Sequence, residues 1–353
     1  MTLRFLSFGA GAIGTYIGGS LAIQGHRVVF LERPEVAAEL RQRGLRLNLN
    51  GQEHTIPHPS VAATLEEALQ LCPFDAAIFA LKSFDTRPAL ENLAPYAAAL
   101  PPVLCLQNGV ENEGRLAEVL GSEKVIAATV TSAVGRRAAG DIVLERLRGV
   151  GIANVHCLAP TLVDTLEAAG LNARLYADAG SLKWSKMLTN LIGNATSAIL
   201  DMPPADVFAH RGLYGLEMAQ LRETILVMAA QKIGVVDLPG TPVRLLALGV
   251  QALPNWLSRP LLQRAAGSGR GAKMPSFHID LHSGRGKSEV DYLNGAVVRA
   301  GKHLGIPTPA NRLLNDTLLA LTDGKLPLDA YAWQPEKLLG SYQVSQSSSL
   351  TTP

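Results

Sequence analysis

Two periodicities divide the chain. Up to about Ala179, short apolar runs alternate with amphipathic segments, and beyond it the helical period dominates. The runs Phe5–Phe8, Val28–Leu31, Phe74–Leu81, Pro102–Leu106 and Val125–Thr131 read as strands with both faces buried. Leu45–Leu49 alternates and pairs with the stretch around His54–Ile56. Helical patterns fall at Pro34–Gly44, Thr64–Leu71, Pro88–Ala99 and Glu113–Leu120, and a hairpin is expected from Ile142–Leu147 and Val150–Val155. Further on, Leu182–Leu200 reads as one long helix, followed by Gly215–Ile233, Glu289–Leu304 and Asn311–Leu321. Strands alternating with helices predict a doubly wound parallel sheet, whose ligands bind beyond the strand carboxyl ends. Lys82 and Asn108 both fall there.

The first strand runs into Gly9-Ala10-Gly11-Ala12-Ile13-Gly14, a helix to Gln24, a stop at Gly25, and a second strand ending in Glu32-Arg33. This is the dinucleotide fingerprint in its proper context. Gly9 permits the turn, Gly11 lets a pyrophosphate approach the backbone, and Gly14 lets the helix pack on the strand. The helix N-terminus offers free N–H groups and a positive dipole end to phosphate. The α/β fold class is therefore an N-terminal doubly wound, Rossmann-type domain over residues 1–178, followed by an all-α domain over 179–340. The Ser/Thr-rich residues 341–353 read as a loose tail. The run after Arg4 lacks an A-x-A cleavage site and continues into another strand, which argues against a signal peptide.

The 353 residues are 47% hydrophobic and 18% charged, enough for two buried cores. A net charge of +2 without a basic block argues against a nucleic-acid partner, and no run is long and apolar enough to suggest a membrane span. Cys72, Cys105 and Cys157 lie far apart without a C-x-x-C, which suggests reduced thiols and a cytoplasmic setting.

Lys186, Asn190 and Asn194 are spaced i, i+4, i+8 on one face of the predicted long helix, among apolar Met187, Leu188, Leu191 and Ile192. A lone Lys and two amides between apolar neighbours need partners, which points to a cleft. A second cluster runs from Met274 through Ser276 to Asp280 and from Lys287 to Gly295. Ser288 suits a helix N-cap, and Glu289 and Asp291 suit the dipole. His278 and His282 are four apart without a third ligand at metal spacing, so no metal site is expected. Carbonyl reduction fits these residue types. A nicotinamide gives hydride to the carbonyl carbon, a partly desolvated Lys of lowered pKa gives the proton, and amides orient the substrate.

Together these motifs resemble the ketopantoate reductase (2-dehydropantoate 2-reductase) family over nearly the whole chain. The marks are GxGxxG, Lys82, Gln107-Asn108-Gly109, Lys186-x3-Asn190-x3-Asn194, Pro275-Ser276 followed by Asp280, and Ser288-Glu289-Val290-Asp291-Tyr292-Leu293-Asn294-Gly295. The resemblance implies reduction of 2-dehydropantoate to pantoate with NADPH, on the route to pantothenate. It makes Lys186 the proton donor and gives Asn190, Asn194 and Ser276 to the substrate. Asn108 would reach both ligands and Glu289 the nicotinamide side of the cofactor. Arg33 and Lys82 would line the adenine-ribose end. Expected partners are a small 2-oxo acid and a second copy of the chain.

Three departures touch the substrate side. Lys273 stands where the family often has Asn, the segment from Asp280 to Glu289 is one residue longer, and Val235–Ala272, with Trp256, looks like an insertion forming a helical cap or a subunit interface. A different, bulkier 2-oxo acid is thus an open alternative, and a nucleotide-sensing protein without turnover a third. Cofactor choice also stays open on residue types. Glu32 suits the ribose 2′-OH of NAD, while Arg33 suits the 2′-phosphate of NADP. The resemblance favours Arg33.

Overall fold

Strands with both faces apolar need cover on both sides. In the computed structural model, which describes residues 2–260 and 274–349, they form most of an eight-stranded sheet. The strands are β1 (Arg4–Phe8), β2 (Arg27–Leu31), β3 (Leu45–Leu49), β4 (Gln52–Ile56), β5 (Ser60–Ala62) and β6 (Ala76–Phe79). They continue as β7 (Val103–Cys105), β8 (Val125–Val130), β9 (Ala133–Ala138), β10 (Asp141–Arg146), β11 (Val150–Ala153) and β12 (Ala173–Tyr176). The large sheet has the order β12-β11-β8-β7-β6-β1-β2-β5, parallel except where β11 runs against β8. The chain reverses its winding at β1, which pairs with both β2 and β6, and this is where such a sheet opens a crevice.

Side-chain alternation divides the core in two. Phe5, Val28, Phe30, Ile78 and Leu104 belong to one cluster, and Leu6, Val29, Ala77, Phe79 and Cys105 to the other. Helices α1 (Ala12–Ile23), α2 (Pro34–Arg43), α3 (Leu65–Leu71), α4 (Thr86–Leu93), α5 (Asn112–Leu120) and α6 (Ala159–Ala168) cover them. α1 and α6 bring Ile17, Leu21, Leu162 and Leu166 to the first cluster, and α3 to α5 bring Ala68, Leu90 and Leu116 to the second.

The expected hairpin does not form. β10 joins a separate four-stranded sheet of order β4-β3-β10-β9, whereas β11 enters the large sheet. The short connector looked like a hairpin loop, but Arg148 and Gly149 donate their N–H groups to Ser132 Oγ at 3.1 and 3.0 Å and hand the chain between sheets. Alternation shows that a run is a strand and is silent on its partner. The pairing of β3 with β4 is as expected.

The chain forms two units, Met1–Lys186 with Asp237–Thr241, and Met187–Val236 with Pro242–Pro353. Helix α7 (Ala179–Leu191) passes from the first into the second after Lys186. The described helices that follow are α8 (Asn194–Leu200), α9 (Pro204–Ala209), α10 (Arg211–Ala230), α11 (Val243–Ala252), α12 (Ser276–His282), α13 (Val290–Leu304), α14 (Pro309–Thr322) and α15 (Pro335–Ser349). The single helix read over Leu182–Leu200 is in fact two, broken at Gly193, whose φ of 62° is left-handed. Ser341–Ser349, read as loose, is the second half of α15, and residues 350–353 lie outside the described part. The expected insertion is described only up to residue 260. Asp237–Thr241 belongs to the first unit, where Thr131 Oγ1 donates to Pro239 O at 2.9 Å, and α11 belongs to the second. Lys273 and residues 261–272 lie outside the described residues.

Candidate active site

The glycine turn is rigid on one side and open on the other. Gly9 has φ 92°, its N–H donates to Leu31 O at 3.0 Å, and its carbonyl accepts from Ser7 Oγ at 3.0 Å. A Cβ on Gly14 would sit 2.2 Å from Gly9 O, so only glycine lets α1 start there. A Cβ on Gly11 would meet nothing within 4 Å, which leaves open space over the backbone. The first intrahelical bond of α1 is Thr15 N–H to Gly11 O, so the N–H groups of Ala12, Ile13 and Gly14 have no partner inside the helix. The first turn carries no acidic residue and no side-chain cap. Open space, helical N–H groups and a positive dipole end together fit the pyrophosphate of a dinucleotide.

Glu32 is committed to the turn. Its Oε1 accepts from Ala10 N–H at 2.6 Å and its Oε2 from Arg33 N–H at 3.3 Å. Arg33 is exposed at the start of α2, while Lys82 is half-buried after β6.

The turns after β6 and β7 are tied together by amides. Gln107 Nε2 donates to Leu81 O at 2.9 Å and to Thr86 Oγ1 at 2.7 Å. Asn112 Nδ2 donates to Asn108 O at 2.7 Å, and Ser83 Oγ donates to the same carbonyl at 3.0 Å. Gln107-Asn108-Gly109 is thus a fixed backbone at a strand carboxyl end.

Lys183 completes that anchor, and no motif had singled it out. It is 4% exposed, and its Nζ lies 2.5 Å from Gln107 O, 3.1 Å from Ala128 O and 2.7 Å from Glu113 Oε1. All three ammonium protons therefore face acceptors, with Glu113 making a close ion contact rather than a well-directed hydrogen bond. Burial, the largest single influence, pushes the Lys183 pKa down, but Glu113 and Cys105 together more than offset it, so the pKa lies above the ordinary 10.5 and the group is charged. The available signal was a Lys between apolar Leu182 and Trp184 on a helix. Lys186 follows one turn later on α7, half-buried. Asp178 caps this helix, accepting from Gly180 N–H at 2.9 Å and Ser181 N–H at 2.8 Å.

The second unit holds Asn190, Asn194, Ser276 and Glu289. Its critical feature is the break at Gly193. Glu217, fully buried, accepts from Gly193 N–H at 2.8 Å and from Thr196 Oγ1 at 2.5 Å, and takes a third bond from Gln220 Nε2 at 2.8 Å. The carboxylate caps α8, where an anion is favoured. Asn194 is 5% exposed and its amide is used inside the unit. It donates to Asn190 O at 3.1 Å and Ser276 Oγ at 3.3 Å, and accepts from Phe277 N–H at 3.0 Å. Ser276 is thereby held, exposed, at the first turn of α12. Glu289, 3% exposed, precedes α13, while Ser288 Oγ accepts from Val290 N–H at 3.2 Å. Asp291 faces solvent and pairs with Arg299 at 2.8 Å. The expectation that His278 and His282 lack a third ligand fails, because Asp201 lies beside them.

The model of ketopantoate reductase PanE/ApbA matches residues 5–156, and that of its C-terminal part matches residues 178–322. The chain belongs to the ketopantoate reductase family. A 2-dehydropantoate 2-reductase from Mesorhizobium japonicum is 29% identical over 349 residues, covering 90% of this chain and 96% of that one. The PanE/ApbA family ketopantoate reductase from Ralstonia eutropha JMP134 has a similar structure, with a TM-score of 0.76, 28% identity, and coverage of 92% of this chain and 99% of that one. A D-mandelate dehydrogenase solved with NADH and anilino(oxo)acetate shares the fold, at a TM-score of 0.75 and 22% identity over 91% and 99% of the two chains. Ketopantoate reductase membership makes the chain an oxidoreductase. No helix among the described residues is long and apolar enough to cross a membrane.

Proposed function

We propose that the protein reduces a 2-oxo acid to a 2-hydroxy acid with NADPH, and that the acid is 2-dehydropantoate. The observation that carries this reading is the Gln107–Asn108 turn, pinned by Lys183 with Lys186 one helical turn beyond. The reduced nicotinamide supplies the hydride. The chain's own groups do the rest. The glycine turn from Gly9 to Gly14 cradles the pyrophosphate, and Arg33 and Lys82 take the adenine-ribose end. Asn108 faces both ligands and Glu289 the nicotinamide side. Lys186 delivers the proton to the new hydroxyl oxygen. Asn190 and Ser276 hold the acid, and Asn194 acts by keeping Ser276 in position. Glu32 is occupied with Ala10, which supports Arg33 as the residue that reads the 2′ position.

A bulkier, aryl-substituted 2-oxo acid is the second reading. The fold shared with a D-mandelate dehydrogenase and the added segment from Val235 favour it. A panel of 2-oxo acids, assayed by loss of the reduced nicotinamide signal with NADPH and NADH, separates the two. The favoured reading predicts the highest kcat/KM for 2-dehydropantoate with NADPH. Arg33→Ala should then lose NADPH efficiency by about 2–3 kcal/mol and leave NADH nearly unchanged. Equal losses with both cofactors would assign the ribose to Glu32.

A further inference from the structure

The second unit brings together three ligand-type side chains that the reduction does not use. His278 and His282 lie one turn apart on α12, with ring centroids 4.2 Å apart and planes inclined by 38°. Asp201 ends α8 in the left-handed conformation, φ 50°, and its Oδ1 lies 2.7 Å from His278 Nε2. One ligand atom from each of the three lies within 4.8 Å of the others. Tetrahedral ligands at about 2.0–2.1 Å from an ion stand about 3.3 Å apart, so modest side-chain rotation closes the set. His282 and Asp201 are exposed, and His278 is half-buried, which gives an ion a route in.

We propose that Asp201, His278 and His282 bind one divalent transition-metal ion, with solvent in the remaining position. Two imidazoles and one carboxylate suit zinc, cobalt or nickel, whereas magnesium and calcium prefer oxygen-only shells. The ion would clamp α12 to the C-terminal end of α8. The other end of α8 is Asn194, which holds Ser276 at the start of α12. Metal binding therefore stiffens the short helix that presents Ser276, and adds no step to the reduction.

The test uses the full chain without an affinity tag, stripped with chelator. It is titrated with Zn²⁺ by calorimetry and with Co²⁺ by its visible absorption. The expected result is one ion per chain, with a dissociation constant on the order of micromolar and a Tm raised by occupancy. His282→Ala and Asp201→Asn should each weaken Zn²⁺ binding at least about tenfold, the scale already lost with an outer-shell partner. Both positions are exposed, and Asn tolerates the left-handed backbone, so far-UV dichroism should not change. Absence of Zn²⁺ heat and of a Co²⁺ band overturns the proposal. So does binding that survives both substitutions, which would belong to other groups such as the exposed thiol of Cys157.

Discussion

The first unit fixes its candidate residues with a buried cation, and the second with a buried anion. Lys183 gathers the carbonyl oxygens of Gln107, just past β7, and of Ala128, inside β8, and so sets the turn that carries Asn108. Glu217 gathers the Gly193 N–H and the Thr196 hydroxyl, and so sets the break that separates Asn190 from Asn194. Each charge matches the backbone group it meets, two carbonyls for the ammonium and the Gly193 N–H at the start of α8 for the carboxylate. The difference lies in what each holds. Lys183 supports the turn that carries Asn108, whereas Glu217 supports the helix start that carries Asn194 and, through it, Ser276. Neither side chain belongs to the motifs that identify the family, yet both set the geometry those motifs depend on.

The largest effect should come from Glu217→Ala. It leaves buried donors unpaired and should cost about 4 kcal/mol of stability, read as a lower urea midpoint. Glu217→Gln keeps the shape, should fold, and should raise KM for the 2-oxo acid while cofactor affinity stays near wild type. A change in cofactor affinity alone would erase the contrast between the units. Lys183→Met should cost about 3 kcal/mol, because Glu113 loses its partner and two carbonyls lose a donor. Its kinetic signature should be the reverse, weaker cofactor binding with a smaller change in KM for the acid. Identical signatures in the two variants would mean that both charges serve only folding.

A smaller effect tests the helix that carries Lys183 and Lys186. Asp178→Ala removes the cap of α7 and should cost about 1 kcal/mol. Hydrogen bonds from Ser181 and Gly180 hold the Asp178 carboxyl below its ordinary 3.8. Its contribution is therefore present above pH 3.8 and is lost as pH falls through the folded value. Wild type and variant should converge in stability at the acid end. A constant gap down to that pH would show that the carboxylate charge is irrelevant.

Much of the first unit was legible because its interactions are local. The strand, the glycine turn and α1 lie within one short stretch, where Gly9 N–H meets Leu31 O and a Cβ on Gly14 would meet Gly9 O. Lys183 was not legible because its carbonyl partners lie 76 and 55 residues away. The helix from Leu182 to Leu200 read as continuous because the apolar period runs straight through Ile192 and Gly193. The break depends on Glu217, which lies 24 residues from Gly193. Asp201 escaped notice beside His278 for the same reason, at a separation of 77 residues. The strand β9 carries Gly135, Arg136 and Arg137, too polar to mark a strand before its sheet is known. Sequence patterns supplied the candidate residues, while Lys183 and Glu217, which fix the backbone around them, act through contacts distant along the chain.

The proposed reduction turns on Lys186 as the proton donor. Lys186→Ala, assayed with NADPH and 2-dehydropantoate, is the most direct measurement, with cofactor binding followed separately by fluorescence. A fall in kcat of about 10²–10⁴-fold is expected, with cofactor affinity nearly unchanged. Turnover close to wild type in that variant, with the cofactor bound, would contradict it.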